Sequence, residues 1–264
     1  SYGAIASLAG AQLVPVTLRP PGWRLDADAL SAAVTERTRA MLINSPHNPT
    51  GRVLDETERA AIAHVAIEAD LVVITDEVYE HLTFDGNRHV PLATMPGMFE
   101  RTITLSSAAK TFALTGWKVG WATGPAELID AVRRTKQFLT YTSSGALQHG
   151  VAAGLALGDA PIAEIRSGLV AQRDLLIDVL TDAGFEAPVP EAGYFVVADA
   201  AWTGATNGME FCQRLPEAVG VGAIPLSSFY LQPERAGALV RFAFCKRPDL
   251  IAEAGRRLAG LTRP

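Results

Sequence analysis

The chain has 264 residues, of which 48% are hydrophobic, and a formal net charge of -5 at pH 7. This length and apolar content predict a globular protein with a well-buried core, organised as one large domain or two smaller ones. The negative charge, without a basic stretch, argues against a nucleic-acid groove, and no apolar run approaches the roughly 18 to 20 residues that a membrane span needs.

The two cysteines, Cys212 and Cys245, lie far apart in the sequence and show no metal-ligand or disulfide spacing. We therefore expect core thiols and no metal site. Residues 1–5 lack the charged and apolar regions of a signal peptide, which favours a cytoplasmic location. Small molecules and other protein chains are the expected partners, with no nucleic acid and no membrane.

In the first half of the chain, apolar runs alternate with amphipathic segments. Two helices are predicted, one starting near Asp26 or Asp28 and the other at residue 55. Strands are predicted at residues 12–18, 38–43, 71–75 and 102–105. This alternation indicates right-handed β-α-β units with a mostly parallel sheet flanked by helices, which is an α/β fold.

Polar clusters lie at or near the ends of three of these strands, at residues 44–51, 76–79 and 106–110. In parallel sheets, ligands bind beyond the carboxyl ends of the strands, so the three clusters can meet in one crevice. If Asp76 begins a helical turn, Asp76 and Tyr79 share one face and can contact the same flat ligand.

The second half of the chain is richer in helices. Helical apolar spacing covers residues 125–139, 144–157 and 161–183. Three more strands, at residues 193–197, 221–225 and 239–244, alternate with helices at 209–218 and 249–261. We predict a large domain over residues 1–157 and a smaller C-terminal α+β domain, with its linking helix, over residues 158–264.

Lys110 is the candidate nucleophile. It is flanked by small and apolar residues. Lys118 follows eight positions later, between Gly116 and Gly120. Burial among apolar groups favours the neutral form of an amine, which is the form that attacks a carbonyl carbon. Taken alone, a lysine in such a segment is more often an ordinary solvated side chain.

The motifs together resemble those of class I/II pyridoxal-phosphate-dependent aminotransferases. The resemblance rests on the Asn-Pro-Thr-Gly ending of residues 44–51, on Asp76-x-x-Tyr79, on Ser107-x-x-Lys110 with Lys118, and on Arg241 before Phe242. Ala-Ala-Lys-Thr-Phe, Thr-Gly-Trp-Lys-Val-Gly-Trp and Val-Arg-Phe-Ala-Phe are similar to the kynurenine aminotransferase-like branch, which includes bacterial N-succinyldiaminopimelate aminotransferases of lysine biosynthesis. Any one of these motifs is weak evidence, and four in order are strong.

The resemblance implies a role for each motif residue toward pyridoxal 5'-phosphate. Lys110 would carry the cofactor covalently and then move the proton of the substrate α-carbon. Asp76 would face the pyridine nitrogen, and Tyr79 and Asn48 would hydrogen-bond the phenolate oxygen of the cofactor. Outside this context, Asp76 reads as a helix cap, Tyr79 as a core residue and Asn48 as a turn residue.

Three further residues receive roles from the same resemblance. Ser107 and Lys118 would contact the cofactor phosphate, although many relatives carry arginine where this chain has Lys118, and lysine lacks the two-pronged geometry of a guanidinium. Arg241 would bind the substrate α-carboxylate. The alternatives are a solvated lysine and a strand-edge arginine in a surface ion pair.

At the level of the whole protein, the resemblance implies fold type I of the pyridoxal-phosphate transferases, amino acid and 2-oxo acid substrates, and a homodimer. The motifs match the C-terminal two thirds of such a subunit. The N-terminal part of the fold, with a glycine-containing phosphate loop and a stacking aromatic residue, is expected to be absent, so that weak or no activity is expected of this chain by itself. Two alternatives stay open, a non-catalytic binding module on the same frame and a pyridoxal-phosphate-dependent β-lyase.

Overall fold

The structure is a computed structural model that describes residues 1–261. Its first half contains a four-stranded sheet in the order β1-β2-β3-β4. The strands are β1 (Ala40–Asn44), β2 (Val72–Asp76), β3 (Thr102–Ser107) and β4 (Gly120–Thr123). The first three strands are parallel and β4 is antiparallel to β3, which confirms the mostly parallel sheet predicted from the sequence.

Two of the four helices of the first half begin where an acidic residue accepts hydrogen bonds from free backbone N–H groups. They are α1 (Tyr2–Leu8), α2 (Ala27–Ala32), α3 (Glu56–Glu68) and the one-turn α4 (Ala108–Thr111). Asp26 caps α2, which confirms Asp26 rather than Asp28 as the predicted start of this helix. Asp55 and Glu58 form a reciprocal capping box at the start of α3, which satisfies two backbone donors at once.

The second half contains longer helices and a three-stranded antiparallel sheet in the order β5-β7-β6. The helices are α5 (Ala126–Leu139), α6 (Gly145–Ala156), α7 (Ala160–Asp182), α8 (Gly208–Val219) and α9 (Pro248–Leu258). The strands are β5 (Phe195–Asp199), β6 (Ile224–Pro225) and β7 (Leu239–Ala243). All five predicted helices are confirmed. The predicted strands at 193–197, 221–225 and 239–244 are confirmed in part, because each observed strand is shifted or shorter.

The predicted strand at residues 12–18 is wrong, because this segment has no regular secondary structure. Pro15 interrupts the run and has no N–H to donate to a neighbouring strand, and Val14 is exposed rather than packed. The segment is instead held from outside, since the Tyr230 hydroxyl donates to the carbonyl oxygen of Leu18 at 3.1 Å.

Two large apolar clusters form the core. One gathers around β1, β2 and α3, with Ile62 and Val73 fully buried. The other gathers around α7, α8, α9 and the second sheet, and it also takes in Leu82 and Phe84 from the first half of the chain. The two halves are therefore joined by shared core as well as by sequence.

Backbone contacts tie the two halves together beside the second cluster. Gly193 N donates to the carbonyl oxygen of Leu82, and Phe84 N donates to that of Glu191, at 2.9 and 2.8 Å. Gly51 has a φ of +70°, and a Cβ there would lie 2.4 Å from Cβ of Pro190. Only glycine fits this position without a shift of the neighbouring backbone.

Helices α5 and α6 are mostly exposed, although they carry large apolar side chains. Phe138 and Leu139 at the end of α5 are 87% and 76% exposed, Leu155 on α6 is 45% exposed, and Tyr141 between the two helices is 77% exposed. Within residues 1–261, none of the helices is both long enough and apolar enough to cross a membrane.

Candidate active site

The carboxyl ends of the three parallel strands bring the polar clusters together, as predicted. Asn44 and Asp76 are register partners at the ends of β1 and β2, and Asn44 Nδ2 donates to the carbonyl oxygen of Asp76 at 2.8 Å. Glu77 N donates to the carbonyl oxygen of Leu105 in β3 at 2.9 Å. Ser107 ends β3, so all three clusters lie along one edge of the sheet.

Asp76 is the last residue of β2 and does not begin a helical turn, because the turn starts only after Glu77. Its Oδ2 accepts a hydrogen bond from the Tyr2 hydroxyl at 2.5 Å, and its Oδ1 is 3.4 Å from Val78 N. Burial, with the neighbouring carboxylate of Asp76, raises the pKa of Tyr2 well above its ordinary value. Tyr2 therefore stays a protonated donor, a role that the sequence did not suggest.

Lys110 lies on α4, whose start is capped by Ser107, with Ser107 Oγ accepting from Ala109 N at 3.1 Å. The Lys110 side chain is half-buried. Its Nζ is 5.9 Å from the ring centroid of Tyr79 and 5.8 Å from that of Tyr194, and the two rings meet edge to face. The Lys110 amine is thus placed beside two phenol rings.

Tyr194 was missed by sequence reasoning, because it immediately follows a glycine at the start of an apolar run and reads as a core residue. Its hydroxyl donates to the carbonyl oxygen of Lys110 at 3.0 Å. Burial raises the pKa of Tyr194 to about 12, and it raises that of Tyr79 further above the ordinary range. Both phenols are therefore neutral at physiological pH.

Ser107 and Lys118 lie at the same corner of the site. Ser107 is paired with Gly120 across β3 and β4, two residues after Lys118. Lys118 has a left-handed backbone, with φ of 55° and ψ of 36°, and its side chain is exposed. The corner therefore offers one hydroxyl and one exposed cation, a pair that suits an anionic group.

Arg241 comes from the second sheet, in the middle of β7. Its guanidinium carbon is 3.8 Å from the ring centroid of Phe195 and 4.9 Å from that of Phe229. Its Nη1 donates to Asn48 Oδ1 at 2.8 Å, and burial lowers the pKa of Arg241 below its ordinary value. The two aromatic rings were not identified from the sequence.

Asn48 has a hydrogen-bond partner in the protein, Arg241, that the sequence did not predict. Its Oδ1 accepts from Arg241, while its backbone N–H donates to Asn44 Oδ1 at 2.8 Å. The Nδ2 group is then the part of this side chain that can donate to a ligand. Asn48 therefore links the edge of the first sheet to the second sheet.

His47, which the sequence analysis left without a role, lies next to Asn48. Its Nδ1 is 2.8 Å from Thr50 Oγ1. Burial, followed by the nearby Arg52 cation, lowers the pKa of His47 to about 4. The imidazole is neutral at physiological pH and holds the turn in place.

The chain matches the family model described as "Aminotransferase class I and II" over residues 1–258. It is 54% identical to a probable N-succinyldiaminopimelate aminotransferase, DapC, of Mycobacterium tuberculosis, over 99% of this chain and 68% of that protein. A solved structure of N-succinyldiaminopimelate aminotransferase from M. tuberculosis superimposes with a TM-score of 0.97 at 55% identity, covering 99% of this chain and 69% of that one.

A more distant relative is the kynurenine–oxoglutarate transaminase of Dictyostelium discoideum, which is 36% identical over 91% of this chain and 60% of that protein. The chain thus spans roughly two thirds of the length of these relatives. Its fold is the fold type I of the pyridoxal-phosphate transferases, as the resemblance implied.

The donor set of the site fits pyridoxal phosphate. An amine, a carboxylate, a phenol and an amide lie around one sheet edge, with a hydroxyl and a lysine at one corner for a phosphate. In the part of the chain that the structure describes, no cluster of three or more His, Cys, Asp or Glu side chains could hold a metal ion. The chain belongs to the class I and II aminotransferase family, whose cofactor is pyridoxal phosphate.

Proposed function

We propose that this aminotransferase acts on N-succinyldiaminopimelate as amino donor, with a 2-oxo acid as acceptor. The observation that carries the proposal is the 54% identity to the M. tuberculosis enzyme of that name, which extends over 99% of this chain. The relatives named for kynurenine and methionine are 36% and 34% identical. The substrate is therefore inferred from the relative with the higher identity.

We propose for these side chains the roles at the cofactor that the resemblance implies, and the contacts of each side chain support them. Pyridoxal phosphate supplies the electron sink for the electron pair left when a substrate α-proton departs. Lys110 takes that proton on Nζ and returns it, and its place beside the Tyr79 ring keeps the amine near the sheet edge. Asp76 would pair its carboxylate with the ring nitrogen, and the hydrogen bond from Tyr2 orients that carboxylate.

The other cofactor contacts are proposed for Tyr79, Asn48, Ser107 and Lys118, and the Ser107 hydroxyl also donates to the carbonyl oxygen of Val119 at 3.3 Å. Tyr79 and the Nδ2 group of Asn48 donate to the ring oxygen, since Asn48 Oδ1 is already used by Arg241. Ser107 and Lys118 bind the phosphate at the corner of β3 and β4. Because Lys118 is exposed, water screens its charge. We therefore assign Lys118 a smaller contribution to phosphate binding than Ser107.

Arg241 is proposed to bind the substrate α-carboxylate. Phe195 and Phe229 hold the guanidinium plane, and the bond to Asn48 fixes its rotation. The remaining N–H groups form the fork that matches a carboxylate. A substrate whose carboxylate is held at Arg241 has its α-hydrogen oriented relative to the Lys110 amine, which lowers the entropic cost of reaction.

The substrate proposal is tested by comparing donors with one 2-oxo acid acceptor. We expect kcat/KM to be highest with N-succinyldiaminopimelate and lower with methionine and kynurenine. A preference for methionine or kynurenine would overturn the substrate assignment while leaving the aminotransferase chemistry intact. Release of pyruvate and ammonia from a cysteine conjugate, without an acceptor, would instead indicate β-elimination.

Two architectural proposals accompany this function. The first is the division into a large domain, residues 1–157, and a small domain, residues 158–264, of which 262–264 lie outside the described residues. The two core clusters support it.

The second proposal is a homodimer, which the exposed Phe138 supports. Phe138→Asp is expected to shift a dimer toward monomer in light scattering. A cytoplasmic location is likewise proposed, supported by the two free cysteines.

A further inference from the structure

The backbone of Lys110 is held by a side chain from the other half of the chain. The Tyr194 hydroxyl donates to the Lys110 carbonyl oxygen at 3.0 Å, whereas Ala113 N approaches the same oxygen at 3.4 Å. Helix α4 has only four residues, so its own hydrogen bonds fix the position of Lys110 weakly. The phenol is therefore the stronger of these two anchors of that carbonyl.

The same residue also lies beside the reacting end of Lys110. The Tyr194 ring centroid is 5.8 Å from Lys110 Nζ, and the ring packs edge to face on Tyr79 with centroids 5.4 Å apart. Tyr194 thus contacts Lys110 at the carbonyl and borders its amine.

Tyr194 can serve as an anchor because it is itself immobilised. It is 7% exposed, and its carbonyl oxygen accepts from Phe244 N at 2.9 Å. The preceding residue, Gly193, donates to Leu82 at 2.9 Å. The ring is therefore fixed by the second sheet on one side and by the turn after β2 on the other.

We propose that Tyr194 is a positioning residue for Lys110, holding its main chain through the hydroxyl so that the amine stays where the cofactor carbonyl carbon must meet it. The inference rests on the proposed role of Lys110 as the lysine that carries the cofactor. Tyr194 itself makes no bond to the cofactor in this role. Losing the hydroxyl lets α4 shift and weakens the link between amine and cofactor.

The experiment uses the full chain and measures covalent trapping rather than turnover. Increasing pyridoxal phosphate is added, borohydride makes the link to the amine permanent, and the pyridoxyl group is located by peptide mass spectrometry. The chain has four lysines, Lys110, Lys118, Lys136 and Lys246, so each site is read separately. The readout is the cofactor concentration that half-labels Lys110, relative to labelling of the exposed Lys246 in the same sample.

Two matched variants are compared, Tyr194→Phe and Tyr230→Phe. Each loses one phenol hydroxyl that donates to a backbone carbonyl, at 3.0 Å to Lys110 and at 3.1 Å to Leu18. A typical neutral hydrogen bond is worth a factor of about five, so Tyr194→Phe should raise the half-labelling concentration at Lys110 about fivefold. Tyr230→Phe should leave it unchanged, and neither variant should alter Lys246.

The outcomes separate the two claims. If the wild-type label maps to a lysine other than Lys110, the proposed function and this inference both fail. If the label maps to Lys110 and Tyr194→Phe labels like the wild type, only the positioning role is overturned. Equal weakening in both variants, with equal loss of melting temperature, would also overturn it, because a general destabilisation would then explain the change. If Tyr194→Phe does not fold, Tyr194→Met provides the same comparison.

Discussion

Lys110 and Arg241 are two basic residues of the site that the protein holds at different atoms. Arg241 is clamped between two aromatic rings, 3.8 and 4.9 Å away, and bonded to Asn48. The amine of Lys110 has ring neighbours at nearly 6 Å, and the tight contact is made by its backbone instead.

The difference matches the work that each group is proposed to do. A group that recognises a carboxylate gains affinity when its geometry is fixed before binding. An amine that forms a bond and then transfers a proton has to change position, so the residue that carries it must be held through its backbone. The site therefore combines a rigid arginine with a lysine whose tip is free and whose backbone is anchored.

The largest expected effect tests the lysine side of this contrast. Lys110→Ala should lower kcat by about four or more powers of ten, because covalent and proton-transfer roles are lost together. Lys136→Ala is the matched control, since Lys136 is exposed on α5 and its Nζ donates to Thr140 Oγ1 at the end of that helix. Steady-state kinetics decide the matter, and retention of activity in Lys110→Ala would refute the assignment.

Removing the clamped group gives the next effect. Arg241→Ala should reduce kcat/KM for amino acids by about 30- to 1000-fold, equivalent to about 2–4 kcal/mol of lost binding to a carboxylate. The cofactor absorbance should be unchanged. Amines without a carboxylate serve as the control, and an equal loss with them would show that Arg241 supports the fold instead.

A pH experiment tests the turn that carries Asn48. The pKa of His47 is about 4 in the folded chain against an ordinary 6.5, so the unfolded chain binds a proton in this interval and the folded chain does not. Folding stability should therefore fall as pH drops from about 6.5 toward 4, by up to about 3 kcal/mol. Denaturant titrations at several pH values measure the fall.

The comparison variants for this test are His47→Gln and His64→Gln. His64 is exposed on α3, so its removal should leave the pH dependence intact. His47→Gln should flatten the stability curve between pH 6.5 and 4.5. Parallel curves for wild type and His47→Gln would show that His47 does not supply this dependence.

The smallest expected effect concerns the aromatic rings that pack on Arg241. Phe229→Leu removes one ring from Arg241, and a partly exposed cation–π contact is worth about 0.5–1 kcal/mol, so KM for the amino acid should rise about two- to fivefold. Phe138→Leu changes an aromatic ring that is 87% exposed and should leave KM unchanged. No rise in Phe229→Leu would mean that Phe195 and Asn48 hold the guanidinium without it.

The sequence was sufficient for the parts of the site that follow strands. The apolar run at 71–75 predicted a central parallel strand, and the polar residues after each strand could then be placed at one edge. Motif likeness supplied Arg241, which no local pattern would have selected. The same pattern rule failed at residues 12–18, where Pro15 removed the donor that a strand needs.

The ring neighbours were beyond the reach of the sequence. Tyr194 lies 84 residues from Lys110 along the chain, and its contact depends on how the second sheet packs on the turn after β2. An aromatic residue near the start of an apolar strand indicates core packing, and Tyr194 does pack in the core while also bonding Lys110. Long-range packing decided its second role.

Gly51 has a mechanical consequence for this pair of basic residues. Its missing side chain lets the turn after β1 lie directly against Pro190, and the segment that begins at Pro190 continues into Tyr194 and Phe195. A methyl group at Gly51 would act as a wedge that pushes this segment outward. Tyr194, which bonds the Lys110 backbone, and Phe195, which packs on Arg241, would then be displaced together, because both lie within five residues of Pro190.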